Sequence, residues 1–413
     1  MELALTFKKS TIGLLLFGFL VAAQSLFPRT IFFISAIVVL GILFGLADYH
    51  FPLKIVSYQT LLIGLFFLGL FGTLFPLGNY QTTDLIRDMV YFLSPVLFIL
   101  IGRYLSILQV SFEKIIQWVI ILSAILSLYF IGHLIWVLLQ LNVTNIYNLR
   151  NQIGHGYTIV PFGLTLLIFT SVIKNKFWRV VLSLLMLSHL ILSFSRSLMI
   201  ITMILVLVLA MEKKASRKLI SVSLIILLAA VIFKIFEEQT FIANFLTKIM
   251  RTITELSGSQ DWSSSQMITS NWRGYETHQA MTEFNSWNIF HQLFGGGFGN
   301  NIYVGDYAYL VGVKGNSIPF LHNGYFTILI KQGVLGVIIY LAFLGLNSLT
   351  AFGAILRKNS FENRLLLAVF LIILVTTYTT TGIFTLENGG FLCVFIGYLA
   401  KKEQVSIWKT SLT

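Results

Sequence analysis

Four basic side chains, in or next to the apolar and long polar segments of this chain, have the types and spacing that best suit chemistry. Arg196 lies between two apolar runs, in Ser193-Phe-Ser-Arg-Ser197, and an arginine next to hydrocarbon is costly unless it meets an anion. Arg150 precedes another apolar run, Arg273 lies in a long polar stretch, and His322 begins a further run. Guanidinium groups bind phosphate oxygens in pairs, and an imidazole can accept a proton near neutral pH. These residues predict a cationic pocket for a phosphate-bearing substrate.

Each of these residues also has an ordinary structural interpretation. Arg196 could extend to lipid headgroups, and Arg150 and Arg273 could be loop arginines. A single histidine is more often structural than catalytic. His322 is nevertheless expected to reach water at the start of a long helix, where it could act as a general base supported by the neighbouring Asn323.

Other polar residues fit structural roles better. Asp84 and Asp88 lie one turn apart, which is typical of a solvated helix start, with paired acids as the alternative. Lys331 would face away from His322 on a continuous helix, which favours an interfacial or partner-facing charge over a catalytic one. The glycine-rich segment 295–299 has no strand-turn-helix context, so a flexible turn is favoured over a phosphate-binding loop.

The segments that carry these residues are strongly apolar. The chain has 413 residues, of which 57% are hydrophobic and only 11% charged, and its mean hydropathy is +0.86. Soluble domains carry about a quarter charged residues. Runs of about 17 or more apolar residues recur, each long enough to cross roughly 30 Å of hydrocarbon as a helix. The sequence therefore predicts an all-α integral membrane protein.

About twelve transmembrane helices are expected, with one large extracytoplasmic loop between helices 9 and 10. Residues 1–236 would hold helices 1–9, residues 237–322 the loop, and residues 323–413 helices 10–12 and a cytoplasmic tail. The segment 193–197 could separate two helices or interrupt one. The first segment is expected to be an uncleaved helix, with a signal peptide as the alternative. The predicted spans are 10–27, 30–47, 55–75, 89–102, 115–139, 157–173, 177–195, 197–211, 218–236, 323–352, 365–383 and 387–400.

The distribution of charge agrees with this topology. With the N-terminus in the cytoplasm, the whole formal charge of +12 falls on the cytoplasmic side, with basic clusters at 174–179, 213–218 and 357–364. This predicts a multi-pass protein of the inner (plasma) membrane with both termini cytoplasmic. Topology also explains the isoelectric point near 9.6, so no nucleic acid partner is expected.

The long polar segment is rich in aromatic residues, and the single cysteine lies in an apolar run. The aromatic side chains could lie at the membrane interface or stack on sugar rings. Cys393 is expected to be a packing residue. No metal-ligand spacing or nucleophile elbow is found in the sequence. The aromatic residues concerned are Trp262, Trp272, Trp287, Tyr303 and Tyr307.

Three motifs in a fixed order carry a resemblance to a known family. They are Ser193-Phe-Ser-Arg-Ser197, then Trp272-Arg-Gly274 followed by Leu293-Phe-Gly-Gly-Gly-Phe-Gly-Asn300, then His322-Asn-Gly-Tyr325 leading into Lys331-Gln-Gly-Val-Leu-Gly336 and Tyr340. Together with the helix count and the long loop before the helix that carries His322, they make the chain similar to the bacterial O-antigen ligase and polymerase superfamily along nearly its whole length.

The resemblance implies a membrane glycosyltransferase that moves a polyprenyl-pyrophosphate-linked glycan, such as one on undecaprenyl pyrophosphate, on the outer face of the inner membrane. Arg196 and Arg273 would bind the pyrophosphate, with Arg150 a less secure member of the set. His322 would activate the acceptor hydroxyl. No metal, nucleotide sugar or other cofactor would be needed. The implied partners are the lipid-linked glycan and the bilayer, with a chain-length regulator and a flippase.

Several activities fit this class of protein. We expect a polymerase that joins repeat units into O-antigen, capsule or exopolysaccharide. The nearest alternative is a ligase that transfers the finished glycan to lipid A core in lipopolysaccharide biosynthesis, and a protein-glycosylating relative is a third. From a different class, a lipid-linked glycan transporter (a flippase) would place charges at mid-membrane, whereas the charges here lie at the outer edge.

Overall fold

The architecture is almost entirely helical. A computed structural model describes residues 2–49, 60–78, 80–140, 152–154, 156–212, 262 and 264–410. By their contacts, the residues divide into two compact units. The first comprises Met1–Pro28, Leu105–Ile253 and Ala354–Val369, and the second comprises Arg29–Tyr104, Thr254–Gly353 and Phe370–Thr413.

Helices make up nearly all of the secondary structure of the described residues, and β-strands contribute little. The two short strands are β1 (Ile302–Tyr303) and β2 (Ser317–Ile318), and Gly305–Val311 and Gly382–Phe384 form 3-10 helices. The α-helices are α1 (Glu2–Leu26), α2 (Arg29–Leu46), α3 (Thr60–Thr73), α4 (Thr82–Ile107), α5 (Phe112–Gln140), α6 (Ile159–Phe169), α7 (Lys176–Leu192), α8 (Arg196–Leu209), α9 (Ser265–Ser270), α10 (Trp272–Ser286), α11 (Ile289–Phe294), α12 (Gly324–Arg357), α13 (Phe361–Thr379) and α14 (Leu386–Thr410).

Several of these helices have the length and apolarity of membrane spans. Within the described residues, six are long enough to cross: Lys8–Leu26 of α1, and α2, α4, α5, α12 and α13. Shorter apolar helices are α3, α6, α8 and Gly389–Ala400 of α14. The prediction of an all-α, multi-pass membrane protein is thus confirmed. The number twelve stays a prediction, and the predicted span 218–236 lies outside the described residues.

The first unit is built around α5. This helix packs against α1, α6 and α7, and α6 also contacts α8. Gly163 of α6 lets the helices approach closely: a Cβ there would lie 2.2 Å from the Ser123 hydroxyl oxygen, which donates to the carbonyl of Ile159. Helices α7 and α8 are separate, joined by a turn in which Phe194 has a φ of 47°. The 193–197 segment therefore separates two helices.

The second unit contains the tightest helix contact found in the described residues. A Cβ on Gly102 of α4 would lie 2.0 Å from the carbonyl oxygen of Val394, and a Cβ on Gly397 of α14 would lie 1.9 Å from that of Ile99. The two backbones therefore touch directly, as small residues permit in helices that pack within lipid.

The described part of the long loop folds into a small layer of its own in the second unit. Helices α9 to α11 and the antiparallel β1–β2 pair surround a core that includes Ile268, Tyr275, Ile302 and Ile318. The predicted interfacial or sugar-stacking aromatics Trp262, Trp272, Trp287 and Tyr307 pack against this core instead. Burial of their large apolar area stabilises this layer. Tyr303 differs, since it is 61% exposed.

The glycine-rich segment 295–299 is not the flexible turn that we expected. Its residues are buried, and three of its glycines have positive φ. The N–H groups of Gly296 and Gly297 donate to the carbonyls of Ile330 and Lys331, at 2.9 and 3.0 Å. The next two N–H groups along the segment bond to side chains of α3 and α4. These donors are used within the protein, so the segment is a docked turn that cannot cradle a phosphate.

Helix α12 is interrupted where this turn docks. Gly333 has φ 67° and ψ −168°, a backbone conformation that is almost confined to glycine. A Cβ at Gly333 would lie 2.3 Å from the carbonyl oxygen of Leu293. The single continuous helix expected from the sequence is therefore two helical segments, and the break leaves room for the 293–297 backbone.

Gly333→Ala is expected to destabilise the protein by at least about 1–3 kcal/mol, because it adds backbone strain and a clash with backbone. Gly345→Ala, on the same helix, is the matched control, because a Cβ there would meet no neighbouring atom within 4 Å. There alanine should leave stability unchanged or raise it. Thermal unfolding of both purified variants checks the prediction, and equal shifts would contradict it.

Candidate active site

His322 lies on a short segment between β2 and α12. Leu321 before it is buried, and the helix begins at Gly324, where the Asn323 side chain accepts a hydrogen bond from the N–H of Tyr325 at 3.1 Å. Asn323 therefore caps α12. The imidazole of His322 is 39% exposed, so one edge remains accessible. His322 lies before the first residue of α12. The expectation that Lys331 lies on the opposite face of one helix from His322 therefore does not apply.

The imidazole is held by a buried carboxylate that the sequence did not single out. Nδ1 of His322 lies 3.1 Å from Oε2 of Glu276, and Oε1 of Glu276 accepts the backbone N–H of His322. Glu276 is completely buried in α10. With a proton on Nδ1 donated to the carboxylate, Nε2 is the nitrogen that can accept a proton. The pair has the geometry of a general base and the group that orients it.

Arg273 lies on the same helix as this carboxylate. Arg273 and Glu276 are three residues apart in α10, so they share one face. Asn271 begins the helix by accepting the N–H of Gly274 at 3.2 Å. The Arg273 guanidinium is half-buried and makes no hydrogen bond or ion pair with the described residues. It lies one helical turn from Glu276, the partner of His322, in the Trp272-Arg-Gly274 motif that the sequence indicated.

Lys331 is not the interfacial charge that we expected. Its side chain is completely buried, and Nζ lies 2.5 Å from Oδ2 of Asp88, which is also completely buried. Nζ also donates to the carbonyl of Asn300. The same Asp88 oxygen accepts the N–H of Gly299 at 2.7 Å. A buried charge is tolerated only when it is paired and hydrogen-bonded, so this ion pair fastens α4, the glycine-rich turn and α12 together.

The expectation of a solvated helix start was wrong for Asp88, whose side chain is completely buried, whereas Asp84 lies in the first turn of α4 and is 17% exposed. Arg87 lies 2.7 Å from Asp84 and 3.2 Å from Oδ1 of Asp88, and it donates to the Asn301 side chain at 3.0 Å. The Asn301 amide in turn donates to Asp84 at 2.7 Å. Both acids are paired with bases, Asp84 with Arg87 and Asp88 with Arg87 and Lys331. Their charges and those of Arg87 and Lys331 balance.

Glu283 of α10 is a further carboxyl close to this network. Burial raises the pKa of Glu283 above its ordinary value, although hydrogen bonds from Tyr303 and Asn300 oppose the shift. The folded protein therefore holds this proton more tightly than the unfolded chain does. Its contribution to stability is present below the ordinary carboxyl pKa and is lost as the pH rises through the raised pKa of the folded protein, so an uncharged residue should be tolerated there.

A cavity of about 340 Å³ lies beside His322, entirely within the second unit. The aromatic rings of Tyr91 and Phe320 form part of its wall, with centroids 4.7 Å apart. Its polar lining comes from α2, α4 and the segment around α13 and α14: Arg29, Arg87, Tyr91, Thr380, Thr381 and Thr385. Sequence reasoning did not assign these residues to a site, because nothing local in the sequence shows that they share one cavity.

The two remaining predicted phosphate-binding residues are Arg196 and Arg150. Arg196 is the first residue of α8 in the first unit, after the turn at Phe194, and it has interactions within the protein. Arg150 lies outside the described residues. The structure thus joins His322 to the helix of Arg273, while the roles of Arg196 and Arg150 stay predictions.

Fold and site together describe a multi-pass helical membrane protein with an accessible imidazole held by a buried carboxylate. Residues 181–341 match a family model described as O-Antigen ligase, which supports the resemblance to the O-antigen ligase and polymerase superfamily over that segment. The matched segment includes Arg196, Arg273 and His322, whereas Arg150 precedes it. No curated protein gives a significant match. The family implies a membrane glycosyltransferase-like enzyme that acts on lipid-linked glycans.

Proposed function

We propose that the chain polymerises polyprenyl-pyrophosphate-linked repeat units on the outer face of the inner membrane. The observation that carries the proposal is the contact between His322 and Glu276. An orienting carboxylate on Nδ1 is the arrangement that lets the opposite nitrogen act as a general base. The proposal also draws on the match to the O-antigen ligase family.

The reaction would be a single displacement at the anomeric carbon of the donor. The acceptor hydroxyl oxygen forms a bond to that carbon, while the bond from the carbon to the pyrophosphate oxygen breaks. The hydroxyl proton passes to Nε2 of His322, and Glu276 stabilises the resulting imidazolium. The electron pair of the broken bond leaves with polyprenyl pyrophosphate. The donor supplies its own leaving group, so the step uses no nucleotide.

Arg273 would stabilise the leaving pyrophosphate. Charge develops on the bridging oxygen in the transition state, and a guanidinium placed there lowers the barrier. Arg273 suits this role because it lies one helical turn from Glu276, the partner of His322. Arg196 is proposed to complete the site, as the family resemblance implies, and Arg150 is a further candidate.

Arg273→Ala is expected to lower kcat/KM for the lipid-linked donor by about 10²–10³-fold, because it removes a donor to the leaving group. Lys314→Ala removes one positive charge from an exposed position of the same loop and serves as the control. Its expected effect is less than about twofold, since exposed charges are screened by salt. Steady-state kinetics with purified variants measures both, and equal losses would show a general effect of charge.

A ligase is the second candidate, favoured by the description of the matched family. The two activities differ in the acceptor, so purified protein is supplied with lipid-linked repeat units, with and without lipid A core. Chains longer than one repeat without lipid A core are the result expected of a polymerase. Product only when lipid A core is present would instead identify a ligase.

A further inference from the structure

The cavity beside His322 has the chemistry of a sugar site. We infer that it holds the terminal sugar of the acceptor glycan, an inference that rests on the proposed function. The general base must lie within hydrogen-bond reach of the hydroxyl that it deprotonates. His322 lines the cavity, so a sugar bound there would present its hydroxyls to the imidazole.

The charge balance of the cavity favours a sugar over the diphosphate. Arg87 is paired with Asp84 and Asp88, and Asp88 also holds the buried Lys331. Arg29 has interactions of its own within the protein. A diphosphate would have to compete with two carboxylates for Arg87, whereas a hydroxyl can accept its one remaining N–H group without displacing them.

The lining also offers the contacts that bind a sugar ring. The half-buried ring of Tyr91 provides an apolar face. The ring of Phe320 beside it contacts two cations, since its centroid lies 5.8 Å from Cζ of Arg87 and 5.4 Å from Nζ of Lys331. The buried ion pair thus fixes one wall of the cavity. Two neighbouring threonines, Thr380 and Thr381, supply hydroxyls.

Thr381 is the sharpest probe of this site. The hydroxyl of Thr380 donates to the carbonyl of Thr376 at 2.7 Å, and that of Thr385 donates to Gly382 at 3.1 Å. The Thr381 hydroxyl, by contrast, bonds to none of the described residues, although the residue is only 7% exposed. A polar group of this kind at a cavity wall is placed to bond a ligand.

The size of the cavity limits what it can take. Its volume of about 340 Å³ lies at the lower end of the range for ligand pockets, about 300–1,000 Å³. It therefore suits roughly one or two sugar rings, the end of the acceptor rather than a whole chain.

Binding to the purified full-length protein tests the inference without turnover. The probes are the repeat-unit oligosaccharide, released from its lipid by mild acid, and inorganic pyrophosphate. Thr381→Val is expected to weaken oligosaccharide binding about fivefold, the loss of one hydrogen bond, and Tyr91→Leu about three- to tenfold. Pyrophosphate binding should be unchanged. Thr350→Val, on the exposed face of α12, is the matched control and should change neither.

The outcomes separate the inference from the proposed function. Weaker pyrophosphate binding with unchanged oligosaccharide binding in Thr381→Val would assign the cavity to the donor and overturn the inference. Oligosaccharide binding that needs Thr381, in a protein that transfers no glycan, would support the sugar site and contradict the proposed transfer. Wild-type protein that binds no oligosaccharide would overturn the inference directly.

Discussion

His322→Ala is expected to lower kcat for glycan transfer by about 10²–10⁴-fold, the usual contribution of a general base. The imidazole is accessible on one edge and held by Glu276 on the other, so alanine removes the proton acceptor. The backbone N–H of residue 322 can still donate to the carboxylate. Donor KM should therefore change little. Steady-state kinetics with lipid-linked repeat units measures both constants.

Glu276→Gln provides a finer test of the same pair. The glutamine keeps the size of the side chain and can accept the backbone N–H of His322, but its amide would donate to Nδ1 and place the ring proton on Nε2. We expect a loss of kcat of at least about tenfold, by analogy with the wrong tautomer in catalytic triads. His278→Ala removes an exposed imidazole from the same helix and should have no effect. Full activity in His322→Ala would exclude the proposed base.

Lys331→Met is expected to destabilise the protein by about 3–5 kcal/mol, because it removes the cation from Oδ2 of the buried Asp88 and leaves that carboxylate with Arg87 beside Oδ1 as its remaining described base. Both side chains are completely buried, so water cannot replace the lost partner. The midpoint of thermal unfolding should fall by about 5–10 °C. Differential scanning fluorimetry of the purified protein in detergent measures this shift.

A double variant tests whether Lys331 and Asp88 stabilise the protein as a pair. Adding Asp88→Asn to Lys331→Met removes the buried carboxylate charge that has lost its lysine, while the amide oxygen can still accept the N–H of Gly299, so much of the lost stability should return. Glu283→Gln is the control, since burial already raises the pKa of Glu283 and neutralising it should not lower the midpoint. If the double variant were as unstable as the sum of the single variants, the pair would not be coupled.

The membrane architecture could be predicted from sequence because lipid imposes a local rule. A span must be apolar over its whole length and must form its backbone hydrogen bonds within itself. Each spanning helix therefore appears in the sequence as one contiguous apolar run. The predicted spans at 30–47 and 115–139 accordingly lie within one or two residues of, or inside, α2 and α5. The break at Gly333 was missed because a glycine in an apolar run looks like an ordinary helical residue, and the cause of the break is a distant turn.

The candidate site was only partly predictable for the same reason. His322 and Arg273 were found through motifs, but Glu276 is 46 residues from His322, and Asp88 is 243 residues from Lys331. Nothing local in the sequence shows that these side chains meet. One signal was present: Glu276 follows Arg273 by one helical turn, so the face that carries the arginine also carries the carboxylate.

Release of polyprenyl pyrophosphate is the quantity that separates glycan transfer from transport. It can be measured with the purified protein in proteoliposomes loaded with lipid-linked repeat units, without nucleotide and with a chelator present. We predict one polyprenyl pyrophosphate released for each repeat unit joined, and no release with His322→Ala. Movement of intact lipid-linked glycan between leaflets without release would contradict the proposed reaction and identify a transporter.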